Sequence, residues 1–223
     1  MTRVHIIGTS HVASKSITEV SEYIKKHSPT IVAVELDTQR YKAMKSSAKR
    51  SLPFSVVRQI GLFGYMFAVV GGFVQQRLAK KIGAKVGEDM MSAVRVAKEC
   101  EAKVALIDLP VHITLRNLSK AFTFREFFRM IGDVFKGFFK RNELLEQIGD
   151  FDLHSVPPEK TIIAIVTYMK KHYPSLHKVL LDSRNKYMVD KIIQLCQLHP
   201  EGSILVVVGA AHRHGMLELL QKK

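Results

Sequence analysis

Val4-His5-Ile6-Ile7-Gly8-Thr9-Ser10-His11 near the start of the chain and Ile204-Leu205-Val206-Val207-Val208-Gly209-Ala210-Ala211-His212 near its end share one plan. Each is a short apolar run rich in β-branched residues that breaks at a glycine and delivers a histidine three positions later. An apolar run of this length bounded by small residues predicts a strand, and the run from Ile204 to Val208 suits a strand buried on both faces. Working outward from the first run, Ile17, Val20 and Ile24 recur at helical spacing until Ser28-Pro29, and a second strand comes next, from Ile31 to Leu36. A strand, a helix and a strand joined by short links form the unit of a parallel sheet. Gly87-Glu88-Asp89 opens another helix, with Met90, Ala93, Val94 and Ala97 on one side, and a strand from Val104 to Ile107 ends at Asp108-Leu109-Pro110. The expected fold is therefore α/β, with a mostly parallel central sheet flanked by helices.

The 223 residues fit one domain over 1–223, with helical insertions at about 53–86 and 114–198, the second forming a cap over the sheet. A hydrophobic fraction of 47% with 24% charged residues excludes a disordered chain. Thirty-four lysines and arginines against 20 acids give a formal charge of +14, which favours an anionic partner without choosing between nucleic acid and lipid. Cys100 and Cys196 form no disulfide framework and no paired motif, so a reduced, cytoplasmic setting is expected. The apolar run at the N-terminus is too short and too interrupted for a signal peptide.

Two middle stretches stand out. Ile60 to Val74 is uncharged and bounded by Arg58 and by Arg77, Lys80 and Lys81, but it falls short of the roughly 20 residues needed to span a bilayer. A buried core helix, or a helical hairpin breaking at Gly71-Gly72, is the expected form, modestly ahead of membrane contact, with subunit contact a further alternative. Phe122 to Phe139 places Phe124, Phe128, Ile131, Phe135 and Phe138 on one helical face beside Arg125, Arg129 and Lys136. Such a basic amphipathic helix suits core packing first and an anionic membrane surface or a subunit contact next. Nucleic acid ranks last, because no groove-reading motif accompanies it.

The chemistry lies at the carboxyl end of each expected strand: His11, Glu35, Asp108 and His212. In an open α/β sheet, groups placed there converge however far apart they are in sequence. Two imidazoles and two carboxylates suit a divalent metal such as manganese, cobalt or zinc, which lowers the pKa of a bound water. The bland alternative is that each polar residue caps a helix or satisfies a loop. Gly8 and Gly209 permit a tight turn or a close backbone approach. His5 reads as a strand side chain and His214 as a solvent-facing neighbour of Arg213.

Gly8-Thr-Ser-His11-Val12, Pro29 with Val32-Ala-Val-Glu35-Leu36, Arg40, Gly87-Glu88-Asp89-Met90, Leu106-Ile107-Asp108, Thr114-Leu115, Arg184 with Met188, and Val208-Gly209-Ala-Ala-His212 together resemble the TraB and pheromone-shutdown (PrgY-like) family. That family is related to the Tiki metalloproteases and more remotely to erythromycin esterase-like and ChaN-like proteins. The resemblance implies a shared pocket holding His11, His212, Glu35 and Arg184, and a divalent-metal-dependent peptidase-like activity. In that reading His11, His212, Glu35 and Asp108 supply metal ligands, Glu35 doubles as general base, and Arg184 stabilises the oxyanion. Gly8, Gly209, Arg40 and Glu88 are further site candidates. The chain has Leu109 where the family often has arginine, and Ser183 where it often has glutamate. A non-catalytic, membrane-associated regulator that binds a peptide or protein partner is therefore the second reading. A metal-free esterase-like hydrolase using a histidine base is the third. Relatives often continue into membrane helices, so peripheral or anchored membrane association through a segment absent from this chain, and a homo-oligomer, are also expected.

Overall fold

The computed structural model describes residues 2–9, 14–46, 54–82, 87–139 and 158–222. Four strands form one parallel sheet: β1 (Arg3–Thr9), β2 (Ile31–Val34), β3 (Lys103–Leu106) and β4 (Ser203–Gly209), in the order β1-β4-β2-β3. The first and last strands pair directly, Arg3 opposite Ser203 through Thr9 opposite Gly209. The two glycine-ended runs at opposite ends of the sequence are thus neighbours in space, as their shared pattern predicts.

Side chains alternate across the sheet, and each face buries its own core. Ile7, Val32, Val34, Leu205 and Val207 face helix α1 (Ser14–His27), through Val20 and Ile24, and helix α4 (Glu88–Glu99), through Met90, Ala93, Val94 and Ala97. Ile6, Ile31, Ala33, Ile204, Val206 and Val208 face the opposite way. They meet Met188, Val189 and Ile192 of helix α9 (Ser183–Leu198) and Met216 of helix α10 (Ala210–Gln221). Burial on both faces explains why β2 and β4 are unbroken apolar runs. Leaving any one of these large side chains exposed would cost about 1.5–3 kcal/mol.

Helix α2 (Thr38–Lys45) comes after β2 and is capped by Asp37, whose carboxylate accepts from the amides of Gln39 and Arg40. Helix α5 (Val111–Ala121) starts just past β3 and packs against helix α3 (Val57–Ile82). Helix α6 (Phe124–Phe139) begins with a capping box. Thr123 Oγ1 accepts from the Glu126 amide at 3.2 Å, and Glu126 Oε2 accepts from the Thr123 amide at 3.3 Å. Helix α7 (Glu159–His172), the short α8 (Pro174–His177) and a π-helical turn (Lys178–Asp182) lead into α9. Between β3 and β4 the described residues form helices and the short links between them, with no strand among them.

Two expectations change. The Ile60 to Val74 run is neither a core helix nor a hairpin broken at Gly71-Gly72. Helix α3 runs through both glycines and kinks instead at Gly61 (φ 75°, ψ 165°). Its outward side chains stay in the open: Leu62 is 64% exposed and Phe73 58%. Phe54–Phe73 is long and apolar enough to cross a membrane by length and composition, with only 11% of that window buried. Secondly, the apolar pattern of the last segment predicts a helix from about Met216, but the helix begins at Ala210, so His212 lies in its first turn. The apolar periodicity starts later than the helix because that first turn carries polar chemistry instead of core contacts.

Candidate functional site

The backbone ladder extends one step past the strand ends and sets the carboxylates in place. The Glu35 amide donates to Val207 O at 3.0 Å, and the Asp108 amide to Leu36 O at 3.2 Å. Glu35 shares the pleat side of Ile31 and Ala33, so it points toward α9 and α10. Both helices present their first turns to this carboxyl edge of the sheet: Arg184 and Asn185 on α9, His212 on α10.

The side chains form one buried network. Glu35 Oε2 accepts from the Gly209 amide at 2.6 Å, and Oε1 accepts from Arg184 Nη2. His212 Nε2 lies 3.3 Å from the same Oε1. On its far side, His212 Nδ1 meets Asn185 Oδ1 at 2.6 Å, which fixes the ring plane. Arg184 also donates through Nε and Nη2 to the two oxygens of Asp108, both at 2.9 Å, and through Nη1 to Leu180 O at 3.3 Å. Arg40 Nη1 adds a 3.2 Å bond to Asp108 Oδ2, and the Leu109 amide donates to Oδ1 at 2.8 Å. Burial pushes the Arg184 guanidinium pKa down, but the Glu35 and Asp108 carboxylates outweigh it and hold the group above its usual range. It stays a cation between two anions.

The Leu180 carbonyl reached by Arg184 lies in the π-helical turn, where the i to i+5 pattern interrupts the ordinary ladder; such turns recur at functional sites. Ser183 donates its hydroxyl to Lys178 O at 2.9 Å, on the exposed side, and does not join the network.

The structure thus brings together five of the expected residues: Glu35, Asp108, Arg184, His212 and Arg40, with Gly209 contributing its amide. His11 lies outside the described residues, two positions past Thr9, where β1 ends at the same edge. Gly8 serves packing. A Cβ there would stand 3.1 Å from Ala210 Cα and 3.2 Å from the Arg213 side chain. Glu88 is exposed in the first turn of α4, whereas its neighbour Asp89 is buried and accepts from Thr9 Oγ1 at 2.5 Å. His5 stacks on Tyr23 with ring centroids 4.5 Å apart, and His214 pairs with Glu218 on the surface.

Sequence reasoning passed over Asn185 and Asp89. An amide neither binds divalent metal strongly nor moves protons, so Asn185 carried no chemical signal beyond its place after Arg184. Asp89 did carry one, since it shares the helical face of Ala93 and Ala97.

His212 Nε2 and Glu35 Oε1 can serve one cation: two donors about 2.1 Å from a common ion at roughly 100° stand about as far apart as these do. Asp108 has both oxygens occupied by Arg184, Arg40 and a backbone amide. Among the described residues there is no group of three or more His, Cys, Asp or Glu side chains placed to hold an ion.

Comparison with known proteins agrees with the motif pattern. The TraB/PrgY/gumN family matches residues 1–223. An uncharacterized protein of Methanocaldococcus jannaschii is 28% identical over 220 residues, covering 98% of this chain and 53% of its own length. TraB domain-containing proteins of Homo sapiens and Mus musculus are 23% and 22% identical over 198 residues, 83% of this chain and 50% of theirs. The chain therefore spans about half the length of these relatives, and it belongs to the TraB/PrgY/gumN family.

Proposed function

We propose that the carboxyl edge of the sheet is the catalytic centre of a divalent-metal-dependent hydrolase acting on peptides. The observation that supports this most directly is the 3.3 Å approach of His212 Nε2 to Glu35 Oε1, with the other imidazole nitrogen held by Asn185. A histidine oriented through its second nitrogen is the usual arrangement of a metal-ligating imidazole. In this reading His212 and Glu35 hold manganese, cobalt or zinc with His11 as the third protein ligand. The bound ion supplies a Lewis acid and a water acidic enough to attack a carbonyl near neutral pH.

The chain's own residues divide the remaining work. Glu35 already accepts bonds on both oxygens, which suits a fixed ligand better than a mobile base. Arg184 has all three guanidinium nitrogens committed within the protein, so it takes a positioning part, clamping Glu35 to Asp108, in place of the oxyanion role expected from the sequence. Asp108 and Arg40 fix that clamp. The buried, hydrogen-bonded ring of His212 limits the conformations from which a substrate must select.

One observation favours the second reading, a regulator that binds a peptide or protein without turnover. The Glu35–Arg184–Asp108 arrangement is charge-compensated as it stands and ties α9 to the sheet without any further ligand. Metal content of untagged protein separates the two, together with hydrolysis of a mixed peptide library with Mn²⁺, Co²⁺ or Zn²⁺ added. The hydrolase reading requires bound or bindable metal and cleavage, both lost in His212→Ala and Glu35→Gln. Absence of both in the wild-type protein leaves the regulator.

A further inference from the structure

We propose that the kinked helix α3 and the start of α6 form a face that lies on an anionic lipid surface. The face is built around Phe63. Its ring meets Phe122 at 5.5 Å, Phe124 at 5.6 Å and Phe127 at 5.8 Å, and Phe67 meets Phe122 at 4.9 Å, which locks α3 to the entry of α6. The inner side of α3 is committed to protein: Ile60 is buried, and Gly64 packs against the Leu115 carbonyl of α5.

Among the described residues, nothing covers the outer side. Leu62, Val69 and Phe73 repeat at i, i+7 and i+11, which makes one stripe, and all three are exposed with Val70 beside them. Phe124 and Phe128 continue the apolar surface across α6, at 71% and 67% exposure. A contiguous exposed apolar surface of this kind marks a contact site.

Charge selects the occupant. Helix α3 contains no aspartate or glutamate, and Arg58 and Arg77 stand exposed beside the stripe, Arg77 lying 5.1 Å over the Phe73 ring. On α6, Arg125 is exposed, while both acids turn inward. Glu126 closes the capping box and takes the Ser175 amide, and Asp133 accepts from Tyr173. Two copies of this face would set like charges against each other on a chain of net charge +14. An anionic bilayer complements both the cations and the phenylalanines. Since one side of α3 is packed against α5 and α6, the helix lies in the interface instead of crossing it.

The test is sedimentation of the full chain with phosphatidylcholine vesicles and with vesicles containing about one-third phosphatidylserine. The inference expects binding to the second set only, weakened by 0.5 M NaCl. It expects about a tenfold or greater loss for Phe73→Ser with Phe124→Ser, and a comparable loss for Arg58→Glu with Arg77→Glu. Circular dichroism on each variant confirms the fold, and because all four side chains are exposed the arginine pair serves if the phenylalanine pair misfolds. The inference is overturned by no binding to anionic vesicles at low salt, by binding unchanged in both double variants, or by concentration-dependent self-association that the same variants abolish. Protein that resists carbonate extraction also overturns it, in favour of a span.

Discussion

Arg184 grips Asp108 in a fork, Nε to one oxygen and Nη2 to the other at 2.9 Å each, and the same Nη2 reaches Glu35. One side chain from α9 thus joins the ends of β2 and β3. Neither carboxylate side chain is more than 3% exposed, and Arg184 itself is 14% exposed, so this cluster is largely shielded from solvent.

Removing the cation from such a site leaves two buried anions facing each other. Arg184→Ala is expected to destabilise the protein by about 3–5 kcal/mol, and Arg184→Lys to rescue only part of that, because an ammonium cannot reproduce the fork. Urea denaturation of both variants checks this. Arg184→Met combined with Asp108→Leu should cost less than the sum of the single changes, since the pair is removed together.

Asn185 is expected to act through His212. Asn185→Leu strips the partner from a buried imidazole nitrogen and should lower stability by about 1–3 kcal/mol. If the proposed metal site is right, it should also weaken affinity for the ion by about 10–100-fold, a loss typical of residues that orient a ligating histidine. Isothermal titration with Zn²⁺ or Mn²⁺ on wild type and variant provides the readout. Equal affinities would leave Asn185 a packing residue only.

Much of this geometry was legible in the chain, and the exceptions have physical reasons. The strands are short β-branched runs that end at glycine or acid, and the rule that ligands gather at carboxyl ends placed Glu35, Asp108 and His212 together without knowledge of strand order. Asp89 was readable too, because a carboxylate in phase with Met90, Ala93 and Ala97 must be buried and therefore bonded. The break in α3 was not. Gly71 and Gly72 stand in open space and stay helical, while at Gly61 the Ser119 side chain stands where a Cβ would be, a contact that exists only once α5 has docked. Asn185 likewise acquires meaning only when α9 is set beside α10.

The Glu126 carboxylate gives a pH-dependent prediction. Burial raises its pKa, but bonds from Ser175 and Thr123 outweigh that and leave it below the ordinary value of 4.5. A carboxyl whose folded pKa is lowered stabilises the fold above its unfolded pKa and loses that contribution as pH falls through the folded value. Glu126→Gln should therefore cost about 1 kcal/mol at pH 7, the usual worth of a cap, and the difference from wild type should shrink by pH 3. Urea midpoints at the two pH values measure it. A gap that persists unchanged in acid would mean the carboxylate charge contributes nothing.

The glycines of α3 separate packing from helix propensity within one element. Gly71 lies inside a helix, and a Cβ added to it would have nothing within 4 Å, so alanine there meets no obstacle and restricts the unfolded chain. Gly71→Ala should stabilise by about 0.5–1 kcal/mol. Gly64 has the Leu115 carbonyl where its Cβ would stand, and a backbone group cannot swing aside as a side chain can. Gly64→Ala must push α3 off α5, at a cost of about 1–3 kcal/mol. That displacement would also carry Phe63 and Phe67 away from Phe122 and loosen the aromatic cluster that joins α3 to α6. Thermal melts should move in opposite directions for the two alanines, and only Gly64→Ala should speed limited proteolysis around α6. A loss of stability in Gly71→Ala equal to that in Gly64→Ala would show that the face of α3 the two glycines share, opposite the exposed stripe, is packed at Gly71 as tightly as at Gly64.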